Sequence, residues 1–203
     1  MRAGSRDAAR AGVLALQGDV HEHAVALREA GATDVTFVRQ PRDLESIDVL
    51  VIPGGESTTI GRLMVEYGLD KAIQQRAGEG LAVFGTCAGL ILLATEIIDS
   101  NQPRLGLLPA RVRRNAYGRQ IDSFEAQLEA PLVSPVPLDA VFIRAPWIDA
   151  VDDRVDVLAR HRGAIVLCRY GKILAASFHP ELTADRRLHR YLLSLAADGG
   201  APS

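Results

Sequence analysis

The chain has 203 residues, 48% of them hydrophobic and 24% charged, with a formal net charge of −2. Such a chain suits one globular domain able to bury a large core, and it offers no electrostatic case for nucleic acid or an anionic membrane as partner. Two cysteines, Cys87 and Cys168, cannot make a disulfide framework, and without CxxC or Cys/His ligand spacing no metal site and no cofactor is assigned.

The opening MRAGSRDAARAG has charges but no apolar core of a secretory signal, and no apolar run reaches the ~18 residues of a membrane helix, so a cytoplasmic protein is expected. Residues 1–11 and 198–203 read as flexible tails. The first half alternates strands with helices. Val13–Leu16 is a short apolar strand, and Val20–Ala30 a helix with Val20, Ala24 and Leu27 on one face, stopped by Gly31. Val35–Val38 and Val49–Ile52 are the next strands, the latter closed by Pro53-Gly54-Gly55. Glu56–Arg76 carries a helical pattern interrupted at Gly61 and Gly68. Leu81–Phe84 is a fourth strand, and Leu90–Ile98 reads as a helix.

Continuous apolar strands separated by helices predict an α/β fold with a mostly parallel sheet covered on both faces. The second half instead shows strands spaced by turns: Asp122–Leu128, Val141–Arg144, Val155–Ala159, Ala164–Cys168 and Ile173–Phe178. These predict an antiparallel extension, followed by a last helix over Asp185–Ala197. One domain is expected.

Gly85-Thr86-Cys87-Ala88-Gly89 follows the fourth strand and has the G-x-C-x-G spacing of a nucleophile elbow. Side chains two positions either way from a strained nucleophile would collide, which favours glycine at both. The turn places the sulfur at a helix N-terminus, where free N–H groups and the dipole favour a thiolate, and it aims the Ala88 N–H at a developing oxyanion. The motif alone is equally compatible with a structural turn. Cys168, inside Ile165–Leu167 and its neighbours, reads as core.

A thiolate nucleophile needs a base, and the base needs an anchor. Of the five histidines, His179 ends an apolar strand in Phe178-His179-Pro180-Glu181. Residues i and i+2 of an extended segment share a side, so Glu181 can back the imidazole. His21, His23 and His189 read as structural or interfacial. The loop Pro53-Gly54-Gly55-Glu56-Ser57-Thr58-Thr59 lacks the Walker spacing, and its glycines suit backbone donation to an oxyanion beside Ala88.

Together these elements resemble the class I (triad) glutamine amidotransferases. The strings Ala15-Leu16-Gln17-Gly18-Asp19, Gly54-Gly55-Glu56-Ser57-Thr58, Arg113-Arg114-Asn115-Ala116-Tyr117-Gly118-Arg119-Gln120, Asp122-Ser123-Phe124-Glu125 and Ile143-Arg144-Ala145-Pro146 narrow the likeness to the glutaminase subunits of two-component pyridoxal 5'-phosphate synthases. The likeness runs from about Leu14 to Glu181 and leaves the residues before Gly12 outside it.

The resemblance implies a flavodoxin-like three-layer α/β/α fold and hydrolysis of L-glutamine to glutamate and ammonia. It implies as partner a (β/α)8-barrel synthase subunit in a hetero-oligomeric complex, which receives the ammonia. Carried over by motif, Cys87, His179 and Glu181 form the triad, with Cys87 forming a γ-glutamyl thioester. Gly54, Gly55 and Ala88 provide the oxyanion donors, while Gly55, Glu56, Ser57, Arg114, Ile143 and Arg144 bind glutamine. The glycine loop is expected to take its oxyanion-binding form only on docking. The other readings are a glutaminase serving a different amidotransferase, and a cysteine stress protein built on the same sheet. The latter is disfavoured by the strand-ending His-x-Glu.

Overall fold

The computed structural model describes residues 9–114 and 123–197. The chain enters on β1 (Arg10–Leu14), so Arg10 and Ala11 are sheet residues and not part of a tail. It continues through α1 (Val20–Ala30), β2 (Asp34–Val38), β3 (Val49–Ile52), α2 (Ser57–Glu66), α3 (Leu69–Gly78) and β4 (Ala82–Thr86). α1 ends where Gly31 adopts φ 108 and its N–H satisfies the last helical carbonyls. The long helical pattern breaks once, at Gly68 (φ 70), between α2 and α3. Gly61 lies inside α2 without breaking it. A Cβ there would stand 2.8 Å from the Pro103 carbonyl oxygen, so this glycine serves close packing.

Behind the elbow, α4 (Ala88–Leu93) is shorter than expected, and β5 (Ala94–Ile97) replaces its second half. Thr95 and Ile97 are β-branched, and pairing with β6 (Leu108–Arg113) overrides the helical spacing of the leucines. β7 (Ser123–Leu128) and β8 (Leu138–Ile143) form a separate antiparallel hairpin. β9 (Trp147–Val151), β10 (Asp156–His161), β11 (Ala164–Tyr170), β12 (Ile173–Ala176) and α5 (Arg187–Ala197) complete the described chain. β6 and β9, short and mixed in polarity, were not legible as strands.

The main sheet runs β2-β1-β3-β4-β12-β11-β9-β6-β5, with β10 also paired to β11. Its first five strands are parallel, and the antiparallel extension starts at β11. β12 was expected in that extension, but it lies parallel beside β4, with Ala176 opposite Thr86. Buried on both faces, Ile173-Leu174-Ala175-Ala176 is a continuous apolar run of the parallel-core type.

Adjacent strand residues feed two cores. Leu50 and Ile52 pack with Ile60 and Met64 of α2, Leu69 and Ile73 of α3 and Leu90 and Leu92 of α4. Val49 and Val51 face the other way, toward Ala24 and Leu27 of α1 and Leu188, Leu192 and Leu195 of α5. Burying each of those leucines contributes about 1.5–3 kcal/mol. Three layers result, α2/α3/α4, sheet and α1/α5, and the β7–β8 hairpin closes the second core with Leu128, Leu138 and Phe142.

α4 sits so close to the sheet that glycine is obligatory. A Cβ on Gly89 would lie 2.1 Å from the Ile52 carbonyl oxygen, and one on Gly85 would lie 2.5 Å from the Gly89 carbonyl carbon. Gly89→Ala is therefore expected to destabilise the fold by about 1–3 kcal/mol or more, lowering Tm by roughly 3–10 °C. A melting temperature within about 1 °C of the parent would refute this close approach.

Candidate active site

Cys87 sits between β4 and α4 with φ 49 and ψ −102, a backbone geometry that a non-glycine residue holds only when its surroundings impose it. The imposition comes from both sides. The Cys87 N–H donates to the Ala176 carbonyl of β12 at 2.9 Å, and its carbonyl accepts from the Ile91 N–H of α4 at 3.4 Å. The sulfur is half-buried, 4.0 Å from the Ile143 carbonyl oxygen at the end of β8. Cys168 is fully buried, and desolvation pushes its thiol up to about 12, which leaves it protonated and inert.

His179 and Glu181 are each only 5% exposed, and His179 Nδ1 is 2.7 Å from Glu181 Oε1. They meet through a turn and not along an extended strand. β12 ends at Ala176, and Pro180–Leu182 forms a 3-10 turn that folds Glu181 back under the ring. The loop is pinned by the His179 N–H, which donates to the Val141 carbonyl of β8 at 2.8 Å. A second carboxylate, Asp19 Oδ2, lies 3.2 Å from the same Nδ1. Burial by itself lowers the basicity of His179, but contacts with Asp19, Cys87 and Glu181 outweigh it and hold the imidazole well above its ordinary value. Burial pushes Glu181 upward, against the pull of His179.

The ligand atoms of Asp19, His179 and Glu181 lie within 4.8 Å of one another. A metal there would need a deprotonated imidazole, whereas the two carboxylates favour the charged ring. A thiol beside an imidazole that is backed by a buried carboxylate is the group set that nucleophilic acyl transfer requires.

Across from this trio, the loop after β3 brings the other expected residues together. Glu56 caps α2, accepting from the Thr58 and Thr59 N–H groups at 3.1 and 2.8 Å. Desolvation opposes its charge, but those bonds win and hold the carboxylate below its usual range. Arg114 reaches it from the end of β6, with Nη2 3.3 Å from Glu56 Oε1. Its Nη1 donates to Thr58 Oγ1 at 3.2 Å and to Gln102 Oε1 at 2.9 Å. Ser57 Oγ donates to the same Gln102 oxygen at 3.3 Å. Arg113 points away, toward Asp99 at 3.7 Å, as alternation along an extended segment requires.

Gly55 has φ 150, and the Gly54 carbonyl accepts from the Asp19 N–H at 3.2 Å. A Cβ on Gly54 would stand 2.5 Å from His179 Cε1, so only glycine leaves room for the ring. Ala88 opens α4 directly behind the sulfur. Ile143 reaches the site through its backbone, and Arg144 follows it with φ 42. The expected motif residues Asn115 to Asp122 lie outside the described residues.

Several site residues escaped the sequence reading. Gln17, within Ala15–Asp19, has no sequence signal of its role; its Oε1 accepts from the Glu56 N–H at 2.7 Å. Asp19 was likewise a motif residue without a function. Gln102 carried no signal, because its role depends on Arg114 and Ser57 arriving from distant elements.

The SNO glutamine amidotransferase family model matches residues 13–197. A protein of Pelotomaculum thermopropionicum named pyridoxal 5'-phosphate synthase subunit PdxT is 54% identical over 191 residues, 94% of this chain and 97% of its own. Its Thermus thermophilus namesake is 56% identical over 187 residues, covering 91% and 96%. A solved structure titled as a glutamine amidotransferase superposes with a TM-score of 0.86 at 52% identity, covering 92% of this chain and 98% of that one.

Because its folded-state pKa is raised, His179 should still be charged at about pH 8, where an ordinary imidazole is neutral. Its stabilising contribution is complete below the ordinary value of ~6.5 and is lost only as pH rises through the folded-state value. Asp19→Asn should lower that value, as read by histidine NMR titration. An unshifted His179 in the parent protein would refute the two-carboxylate arrangement.

Proposed function

This chain belongs to the SNO glutamine amidotransferase family, and from that premise we propose that it hydrolyses L-glutamine to L-glutamate and ammonia. The ammonia passes to a (β/α)8-barrel synthase subunit that makes pyridoxal 5'-phosphate, the synthase after which its PdxT relatives are named. The observation that carries the reading is the His179–Glu181 contact of 2.7 Å beside the strained Cys87 elbow.

In this reading the Cys87 sulfur attacks the glutamine carboxamide carbon. The carbonyl electron pair moves onto oxygen, and the Ala88 N–H with the Gly54-Gly55 loop receives the oxyanion. His179 gives its proton to the departing nitrogen, and ammonia leaves a γ-glutamyl thioester on Cys87. The imidazole then takes a proton from water as the hydroxide adds to the thioester, and glutamate leaves as the sulfur is restored. Glu181 holds the Nδ1–H and stabilises each imidazolium stage. Amide hydrolysis through a thioester needs no cofactor.

Arg114 takes the substrate α-carboxylate as a charge-assisted partner, with Gly55, Glu56, Ser57, Ile143 and Arg144 completing the pocket. The Gly54 carbonyl, now bonded to the Asp19 N–H, is the group that docking of the synthase must release for the loop to take its oxyanion-binding form. The reduced cytoplasm suits a protein that works through a free thiol.

Cys87→Ala and His179→Asn should each lower ammonia release by roughly 10⁴-fold or more while the fold is retained. Cys168→Ser should leave turnover nearly intact. Arg114→Ala should raise KM for glutamine by about 10- to 100-fold with a smaller effect on kcat. Ammonia release is measured with and without a candidate synthase subunit. Substantial activity in both triad variants would sink the triad, and full activity indifferent to the partner would sink the coupling.

A further inference from the structure

Behind the triad, in the core between the sheet and the α1/α5 layer, lies a pair of imidazoles that the proposed chemistry does not use. His23 of α1 and His189 of α5 are both 0% exposed. His23 Nδ1 is 3.2 Å from His189 Nε2. On its other side His23 Nε2 lies 3.0 Å from Thr86 Oγ1, one residue before Cys87, and 3.2 Å from Glu181 Oε2. That oxygen is buried and accepts no aligned hydrogen bond, so His23 Nε2 is poised between a hydroxyl and an under-satisfied carboxylate.

The proton positions follow from the two ends of this chain. His189 Nδ1 is buried without a partner, an arrangement costlier for an N–H than for a bare lone pair. His189 therefore carries its proton on Nε2 and donates to His23 Nδ1. His23 must then carry its proton on Nε2, facing Glu181 and Thr86. The opposite tautomers would strand a buried N–H and set a nitrogen lone pair against a carboxylate oxygen. Desolvation first, with the charges of His189 and His179 behind it, holds His23 well below its ordinary value. Desolvation, with Arg186 added, pushes His189 down to about 3. The other ionisable groups near the pair are Glu181, His179 and Asp185. Both shifts favour neutral rings.

We propose that His23 is a positioning residue for Glu181: its neutral Nε2–H, oriented by His189 and shared between Thr86 Oγ1 and Oε2, supports Oε2 so that Oε1 is presented to His179 Nδ1. A neutral donor suits this task better than a cation would. It keeps the buried carboxylate ionised without neutralising it, so the full charge remains available to the His179 imidazolium. The proposal rests on the Cys87–His179–Glu181 reading, and its tests separate the two.

Histidine ¹⁵N NMR of the intact subunit at pH 7 should show His23 neutral with its proton on Nε2; an Nδ1–H tautomer or a charged ring overturns the proposal. In the assembled complex, His23→Phe should lower kcat by about 10- to 100-fold, with KM for glutamine within about twofold. Loss of the donor raises the Glu181 pKa, so the acid limb of the kcat profile should move to higher pH. His23→Gln, whose amide N–H reaches the same place, should recover most of the rate. A folded His23→Phe with unchanged kcat and pH profile refutes the role. If Cys87→Ala and His179→Asn are dead while that variant is fully active, only this inference fails; if those two retain activity, the triad fails first.

Discussion

The contact on which the rest of the molecule depends is the near collision of α4 with the sheet at Gly89. With only a hydrogen on that Cα, the helix backbone comes within touching distance of the Ile52 carbonyl oxygen, and Gly85 accommodates the same approach from β4. Cys87, between them, is forced into positive φ with its sulfur above the C-terminal edge of the sheet. Because β4 lies between β3 and β12, that edge also receives the Gly54-Gly55 loop from one neighbour and the His179 loop from the other. Sheet order thus assembles three segments that are distant in the chain, in the crevice where open parallel sheets place their sites.

Burial makes the electrostatics of this edge demanding. A carboxylate as deeply sequestered as Glu181 is costly unless something answers its charge. His179 answers one oxygen, and His23, itself bonded to Thr86, stands beside the other. Asp19 adds a partly exposed carboxylate at the same imidazole nitrogen, so two carboxylates of different burial favour the charged ring. The β7–β8 hairpin, apart from the main sheet, fixes the His179 backbone through Val141 and sets the Ile143 carbonyl near the sulfur. An element that looked like a mere extension is therefore a wall of the site.

On the opposite rim, Gln102 gathers Arg114, Thr58 and Ser57 onto one amide oxygen, while Glu56 both caps α2 and faces Arg114. Cap and guanidinium are thereby ordered together, and the charge-bearing residues of the proposed glutamine pocket are preorganised by the same bonds that begin a helix.

The sequence by itself determined the alternating β/α half, the elbow and its glycines, the distinction between Cys87 and Cys168, and the pairing of His179 with Glu181. Each of these is local: apolar periodicity, backbone strain and short spacing are properties of a few consecutive residues, although a 3-10 turn, and not the extended geometry the spacing suggested, brings Glu181 to His179. Tertiary structure alone decided that Leu90–Ile98 divides into helix and strand, because β5 is fixed by its pairing with β6. It moved β12 into the parallel core, since a short apolar strand does not encode which neighbour it takes. Only the fold could bring Asp19, His23, Gln102 and His189 to the site: their roles are contacts across the chain, and a polar residue's sequence neighbours say nothing of which buried charge it will meet.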